Sequence, residues 1–216
     1  MKVVSRLAIA VGVLLALGIG SSAQAQKQQV DGRQVQRLQY IMVPLIQHMD
    51  HPIPLDKVSV KIMDGRSINA ANGGGGDFYI TTGLLNQAND DEIRAIMAHE
   101  AAHADLGHVA KAQTLNTGLS IGVALLSQLW PEASGLAPVA GQLISNAYSR
   151  SEENQADAHG VELLRRTGYT QQSGYDGKEV MADTLTWLAK SQGNTGGFFA
   201  THPLTSDRIA AVQRLP

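Results

Sequence analysis

Apolar residues at Val30, Val35, Leu38, Ile41, Met42, Leu45, Ile46 and Met49 recur at nearly helical spacing, which predicts an amphipathic helix over about 27–50, disturbed at Pro44. The period then changes. Val58-Ser59-Val60-Lys61-Ile62 alternates apolar and polar and reads as a strand, with a turn at Asp64-Gly65-Arg66 that opens a hairpin-like sheet. Gly73 to Gly76 read as a mobile loop leading into a second strand of aromatic and β-branched residues, Phe78-Tyr79-Ile80-Thr81-Thr82. Helical spacing returns at Ile93, Ile96 and Met97, behind Asn89 or Asp90 as cap and acidic residues suited to a helix start; this helix should run to about Leu106 and end at Gly107. Further helices are predicted over about 143–166 and 178–190, the latter followed by a flexible Ser191–Gly197 linker. Together these elements predict an α+β fold, mostly helical, with a small β-sheet.

The N-terminus is set apart from this pattern. Lys2 and Arg6 precede an uncharged run, Leu7 to Gly20, and then Ala23-Gln24-Ala25, the order of a secretory signal peptide with cleavage after Ala25. The run is shorter than the roughly 20 residues that span a bilayer. The expected organisation is a signal peptide over 1–25 and one domain over 26–216, with the mature protein in the periplasm. A second long uncharged stretch, Ala112 to Pro131, carries too many Gln, Thr, Asn and Ser residues for lipid. Residues 115–140 are therefore expected to pack, or to touch a membrane surface or an envelope protein, with no stable span after signal removal.

Composition narrows the chemistry. The chain has 216 residues with 17 Lys+Arg against 19 Asp+Glu, a balance that argues against nucleic acid as a partner. With no cysteine, disulfides, thiolate metal sites and a thiol nucleophile are excluded, so any metal must be held by His and carboxylates. The glycine run lacks the following helix that a nucleotide loop needs.

The main chemical signal is His99-Glu100-Ala101-Ala102-His103. Two imidazoles four apart project from one helical face and can share a metal ion, with Glu100 beside the attacking water. The surrounding Ile96, Met97, Ala98, Ala101, Ala102 and Ala104 describe a helix buried on most sides, where uncompensated polar groups would be costly. His108 is too far round an ideal helix to share that metal, which leaves it a structural role beyond the Gly107 break. A third ligand must come from Asp, Glu or His. On the next polar helix Glu153, Asp157 and Gly160 form one stripe, with Ala156 and Gly160 leaving room for close approach; Glu152 is the competing ligand, but its partner four residues on is Ala156. His48 and His51 are read as surface or packing residues, and His159, off the Glu153 stripe, as structural.

These motifs, together with Gly107-His108, Ser149-Arg150, Glu153…Ala156-Asp157, Asn69-Ala70, Gly83-Leu84-Leu85 and Thr201-His202-Pro203 with Arg208, resemble the HtpX and CAAX-prenyl-protease family of gluzincin metallopeptidases, in particular its soluble periplasmic members. The resemblance covers about residues 58–214. It implies a zincin-like fold with one Zn²⁺ per chain, Glu153 as the third ligand beside His99 and His103, and Asp157 as the carboxylate orienting a ligand histidine. It also implies Glu100 as general base, His202 and Arg208 as catalytic groups at the developing oxyanion, and Phe78, Tyr79, Ile80 and Thr81 as the edge strand that pairs with substrate. Asn72, the glycine run and Asp77 make that edge-strand region more polar than the family pattern.

The function so implied is an exported zinc metalloendopeptidase that cleaves unfolded or extended polypeptides in envelope protein quality control. A zinc-containing periplasmic chaperone or binding module with little or no proteolysis is the alternative. An anchored envelope interaction protein, and a hydrolase of peptidoglycan stem peptides, are more distant readings.

Overall fold

The computed structural model describes residues 31–115, 148–193 and 197–216. The leader and most of the 115–140 stretch lie outside them, as does the beginning of the helix expected from residue 143.

Helix α1, Gly32–Gln47, starts at Asp31, whose side chain accepts from Arg33 N, and buries Leu38, Ile41, Met42, Leu45 and Ile46 on one face. It continues through Pro44 rather than breaking there. Three strands follow: β1 (Ser59–Met63), β2 (Ala70–Gly74) and β3 (Asp77–Thr81). The sheet order is β1-β3-β2, with β3 parallel to β1 from Ser59↔Asp77 to Met63↔Thr81 and antiparallel to β2.

This topology corrects two expectations. The sheet does not open as a hairpin from β1, and Phe78, Tyr79, Ile80 and Thr81 lie on the central strand, paired on both sides. A strand with both neighbours in place has no ladder left for a substrate, so the free-edge role cannot belong to these four residues. The two edges are β1 and β2, and Ala70-Ala71-Asn72 lies on the second of them. The glycines are a tight turn: Gly75 and Gly76 have φ of 62° and 93°, the pair of positive angles of a two-residue type I′ hairpin connection between β2 and β3. Gly73 is needed for a different reason, because a Cβ there would sit 2.7 Å from the Tyr79 ring.

After the short helix α2 (Thr82–Gln87), α3 (Asp90–Asp105) begins with a capping box between Asn89 and Glu92. It is buried from Ile93 through His103 along nearly its whole girth. Gly107, at φ 71°, turns the chain into α4 (His108–Leu115). Helix α5 (Arg150–Arg166) starts with a second capping box, Ser149 with Glu152, followed by α6 (Gly177–Gln192), capped by Asp176, and α7 (Ser206–Gln213). Helix α5 crosses α3 closely: at Gly160 a Cβ would come within 2.9 Å of Met181 and 3.3 Å of the backbone N of His99. The core joins α1, the inner face of the sheet, α3, α5 and α6 in one apolar cluster. Among the described residues no helix is long and apolar enough to cross a membrane.

Candidate metal centre and active site

His99 and His103 sit one turn apart on α3, at 1% and 0% exposure, and their Nε2 atoms lie 3.0 Å apart. The close α3–α5 crossing at Gly160 and Ala156 brings Glu153 to the same point, with Oε2 3.5 Å from His99 Nε2 and Oε1 3.4 Å from His103 Nε2. Glu152 goes elsewhere: it closes the capping box on Ser149 and pairs with Lys111 at 2.7 Å, so that although burial opposes ionisation its carboxyl is held down to about 2. The helix start, rather than the metal, claims it.

Asp157, one turn beyond Glu153, accepts from His99 Nδ1 at 2.9 Å. A carboxylate at that distance requires the proton on Nδ1 and leaves the lone pair of Nε2 facing His103 and Glu153. Arg208 grips Asp157 with two parallel bonds of 2.8 Å from Nε and Nη2. Its Nη1 lies 2.7 Å from Glu153 Oε2, 3.0 Å from His202 O and 3.2 Å from Pro203 O. Every guanidinium nitrogen is thus engaged inside the protein, and the side chain is fully buried.

His202 is drawn further in than an oxyanion donor need be. Its Nδ1 is 3.2 Å from His99 Nε2 and 3.1 Å from Glu153 Oε1, and its Nε2 is 3.1 Å from Glu100 Oε1. His99, His103, Glu153 and His202 together offer four ligand atoms within 4.8 Å of one another, all buried. Burial alone would strip the proton from His202, but the Glu100 and Glu153 carboxylates beside it hold the ring up at about 10. His103, with burial dominant, is pushed down to about 3 and stays neutral, the state in which imidazole binds metal.

The donor set fits a divalent metal ion. Glu100 Oε2 is buried without a partner among the described residues, and Glu100 Oε1 and Glu153 Oε2 have only the charged contacts with His202 and Arg208. Unsatisfied carboxylate oxygens beside an inward-facing imidazole lone pair are what a bound cation and its water would satisfy.

Three residues at the site escaped the sequence reading. Tyr148, immediately before the α5 cap, stacks on His103 with ring centroids 3.7 Å apart and lies parallel to His202 at 5.3 Å. Phe198 closes the other side of His202 at 4.4 Å. Asn72 on β2 donates from Nδ2 to the backbone carbonyl of Glu100 at 3.1 Å, so the polar residue that departs from the family pattern is an anchor between an edge strand and α3. Only the position of Tyr148 beside Ser149-Arg150 marked it in the sequence; Asn72 stood out only as a polar departure from the family pattern, and Phe198 carries no local signal. His108, expected to have a structural role, faces the ring of His103. His159 is structural as expected, bonding Asp105 at 2.7 Å. Asp105 also accepts the backbone N–H groups of Asp50 and His51, so the Asp50–Asp105–His159 group is a satisfied tie between the end of α3, the segment after α1 and the middle of α5.

The family model described as Peptidase family M48 matches residues 32–215. Metalloprotease LoiP of Escherichia coli (strain K12) is 28% identical over 167 residues, which cover 72% of this chain and 62% of that protein. Metalloprotease YcaL of the same strain is 27% identical over 163 residues, covering 72% and 61%. The Beta-barrel assembly-enhancing protease of Yersinia pestis is 25% identical over 162 residues, covering 69% of this chain and 32% of its own length. The chain thus spans less than two thirds of the length of these relatives. The family match begins at the first residue of α1 and takes in both helices that carry the buried donor set: this chain belongs to peptidase family M48.

Proposed function

We propose that the protein is an exported zinc metalloendopeptidase of the periplasm that hydrolyses unfolded or misassembled envelope polypeptides. The observation that carries the hydrolytic reading is Glu100. Its buried carboxylate stands beside the His99, His103 and Glu153 donors with only His202 against one oxygen and the other oxygen free among the described residues, the position of a proton acceptor for an attacking water. His99, His103 and Glu153 would hold the ion. Zn²⁺ bound there supplies Lewis acidity that polarises the scissile carbonyl and acidifies the water.

Glu100 takes the water proton and returns it to the leaving amide nitrogen. His202 Nε2, 3.1 Å from Glu100 Oε1, is the group of this chain placed to hold a proton beside that carboxylate and to meet charge on the carbonyl oxygen. Arg208, with its nitrogens committed to Asp157, Glu153 and the 202–203 carbonyls, acts as a positioning residue rather than an oxyanion donor. Strand pairing with an extended substrate falls to β2, because the alternation that joins Asn69 O to Thr81 N turns the N–H and C=O of Ala70 and Asn72 away from β3. Main-chain pairing of that kind favours unfolded chains of varied sequence. Export rests on the leader pattern of residues 1–25, and the N-terminal residue of the purified protein tests it.

One observation favours the second reading, a zinc-containing binding module. With His202 included the site offers four protein donors, the complement of a structural zinc site, whereas catalysis needs one position open. Zinc content and casein cleavage, measured for wild type and Glu100→Gln together, separate the two. The protease reading expects one zinc in each and cleavage by the wild type alone, slower in the variant by about 10²–10⁴-fold. Zinc in both with cleavage in neither supports the binding module, and zinc in neither overturns the site.

A further inference from the structure

We infer that His108 is a positioning residue that fixes the tautomer of His103 through a chain of neutral side chains ending at Gln155. The inference rests on the proposed metal role of His103. Nδ1 of His108 lies 3.0 Å from Nδ1 of His103, and both rings are buried, at 6% and 0% exposure. Two ring nitrogens at that distance hold one proton between them. His103 presents Nε2 to His99 and Glu153, so a metal-ready ring must carry its proton on Nδ1 and donate it to His108.

His108 then accepts through Nδ1 and must carry its own proton on Nε2. That atom meets Gln155 Oε1 at 3.3 Å, and the orientation of the Gln155 amide is set in turn by its Nε2 donating to Ser151 Oγ at 3.0 Å. Every link has the polarity the next requires. The two ligand histidines are therefore held by different chemistry: His99 by the anionic Asp157, itself clamped by Arg208, and His103 by an uncharged relay. The relay exists because Gly107, in the left-handed region, reverses the chain after α3 and sets the first residue of α4 back over His103.

Substitutions that keep or remove one acceptor test this. In His108→Asn the side-chain oxygen occupies the place of the imidazole Nδ1 and keeps the acceptor, whereas His108→Leu keeps bulk and removes it. Zinc dissociation constants of the full chain are read by competition with a chromophoric chelator, with circular dichroism to establish that each variant is folded. His108→Leu is expected to bind zinc about 10–100-fold more weakly than wild type, with His108→Asn near wild type. In the zinc-loaded wild type, nitrogen-resolved NMR of the imidazoles should show His103 protonated at Nδ1 and His108 at Nε2. Equal zinc affinity in wild type and His108→Leu, equal losses in both variants, or the opposite proton on His108 overturns the relay while leaving the metal site standing. A wild type that takes up no zinc overturns the metal reading itself, and the relay with it.

Discussion

Arg208 is the side chain whose role changes most between sequence and structure. The family resemblance implies for it a catalytic role at the developing oxyanion, facing substrate. In place it is fully buried, with a two-pronged grip on Asp157 and contacts to Glu153 and the carbonyls of His202 and Pro203. Burial alone would disfavour its charge, but Asp157, Glu153 and Glu100 hold its pKa above the ordinary arginine value. Removing one partner of such a network leaves buried carboxylates uncompensated, a change that typically costs about 3–5 kcal/mol. Arg208→Met should therefore lower the urea midpoint of the metal-free protein by a margin of that order. A midpoint within error of wild type would return Arg208 to a substrate-facing role. Asp157→Asn should show its effect on the metal: zinc affinity measured by chelator competition should fall about 10–100-fold, because His99 loses the carboxylate that fixes its Nδ1 proton.

The helices were legible as elements because each carries a period and a start signal of its own. Asn89 with Glu92 caps α3, and Glu153, Asp157 and Gly160 share the stripe that meets it. The small sheet was legible only in part. Strands β1 and β3 have β-branched and alternating residues, but Ala70-Ala71-Asn72 has poor strand propensity and pairs because β3 lies beside it and small side chains fit against α3. Which strand is the edge depends on that pairing, which no local window contains. For the same reason the stripe of Glu153, Asp157 and Gly160 on α5 was readable, whereas the ring of His108 over His103 depends on the turn angle at Gly107.

Gly160→Val should drive α5 from α3 where the ligands meet, costing about 1–3 kcal/mol in denaturant titration and weakening zinc binding as well; unchanged values for both would show that the crossing has slack. Asp176 caps α6 and takes bonds from Arg165, which hold its pKa below the usual carboxylate value despite the opposing effect of burial. A depressed folded-state pKa contributes stability above the unfolded value near 3.8 and loses it as pH falls through the folded pKa. Asp176→Asn should therefore cost about 1–2 kcal/mol at pH 7. The difference from wild type should shrink progressively below about pH 4. A gap independent of pH would assign the effect to packing rather than to the charge.

At the scale of the whole molecule, the donor set joins segments far apart in the chain. His99 meets Asp157 across 58 positions and His202 across 103, and Phe198 N–H bonds Ile68 O beside the edge strand, so the C-terminal segment closes over the same site. Without a cation, Glu100, Glu153 and Asp157 crowd one buried volume with Arg208 and His202 as their counter-charges. A metal that binds the folded chain and not the unfolded one should convert that crowding into stability. At free zinc a thousandfold above its dissociation constant the gain is about 4 kcal/mol. For a chain of this length that corresponds to a rise in Tm of roughly 8–16 °C. Exhaustive chelation should reverse the rise, and His103→Ala, lacking a ligand, should show little of it. On the proposed reading, in which Glu100 moves protons and does not hold the ion, Glu100→Gln should keep the full rise while losing cleavage. A Tm that zinc leaves unchanged in the wild type would mean that the three segments close without a metal, and the buried carboxylates would then need a different counter-ion.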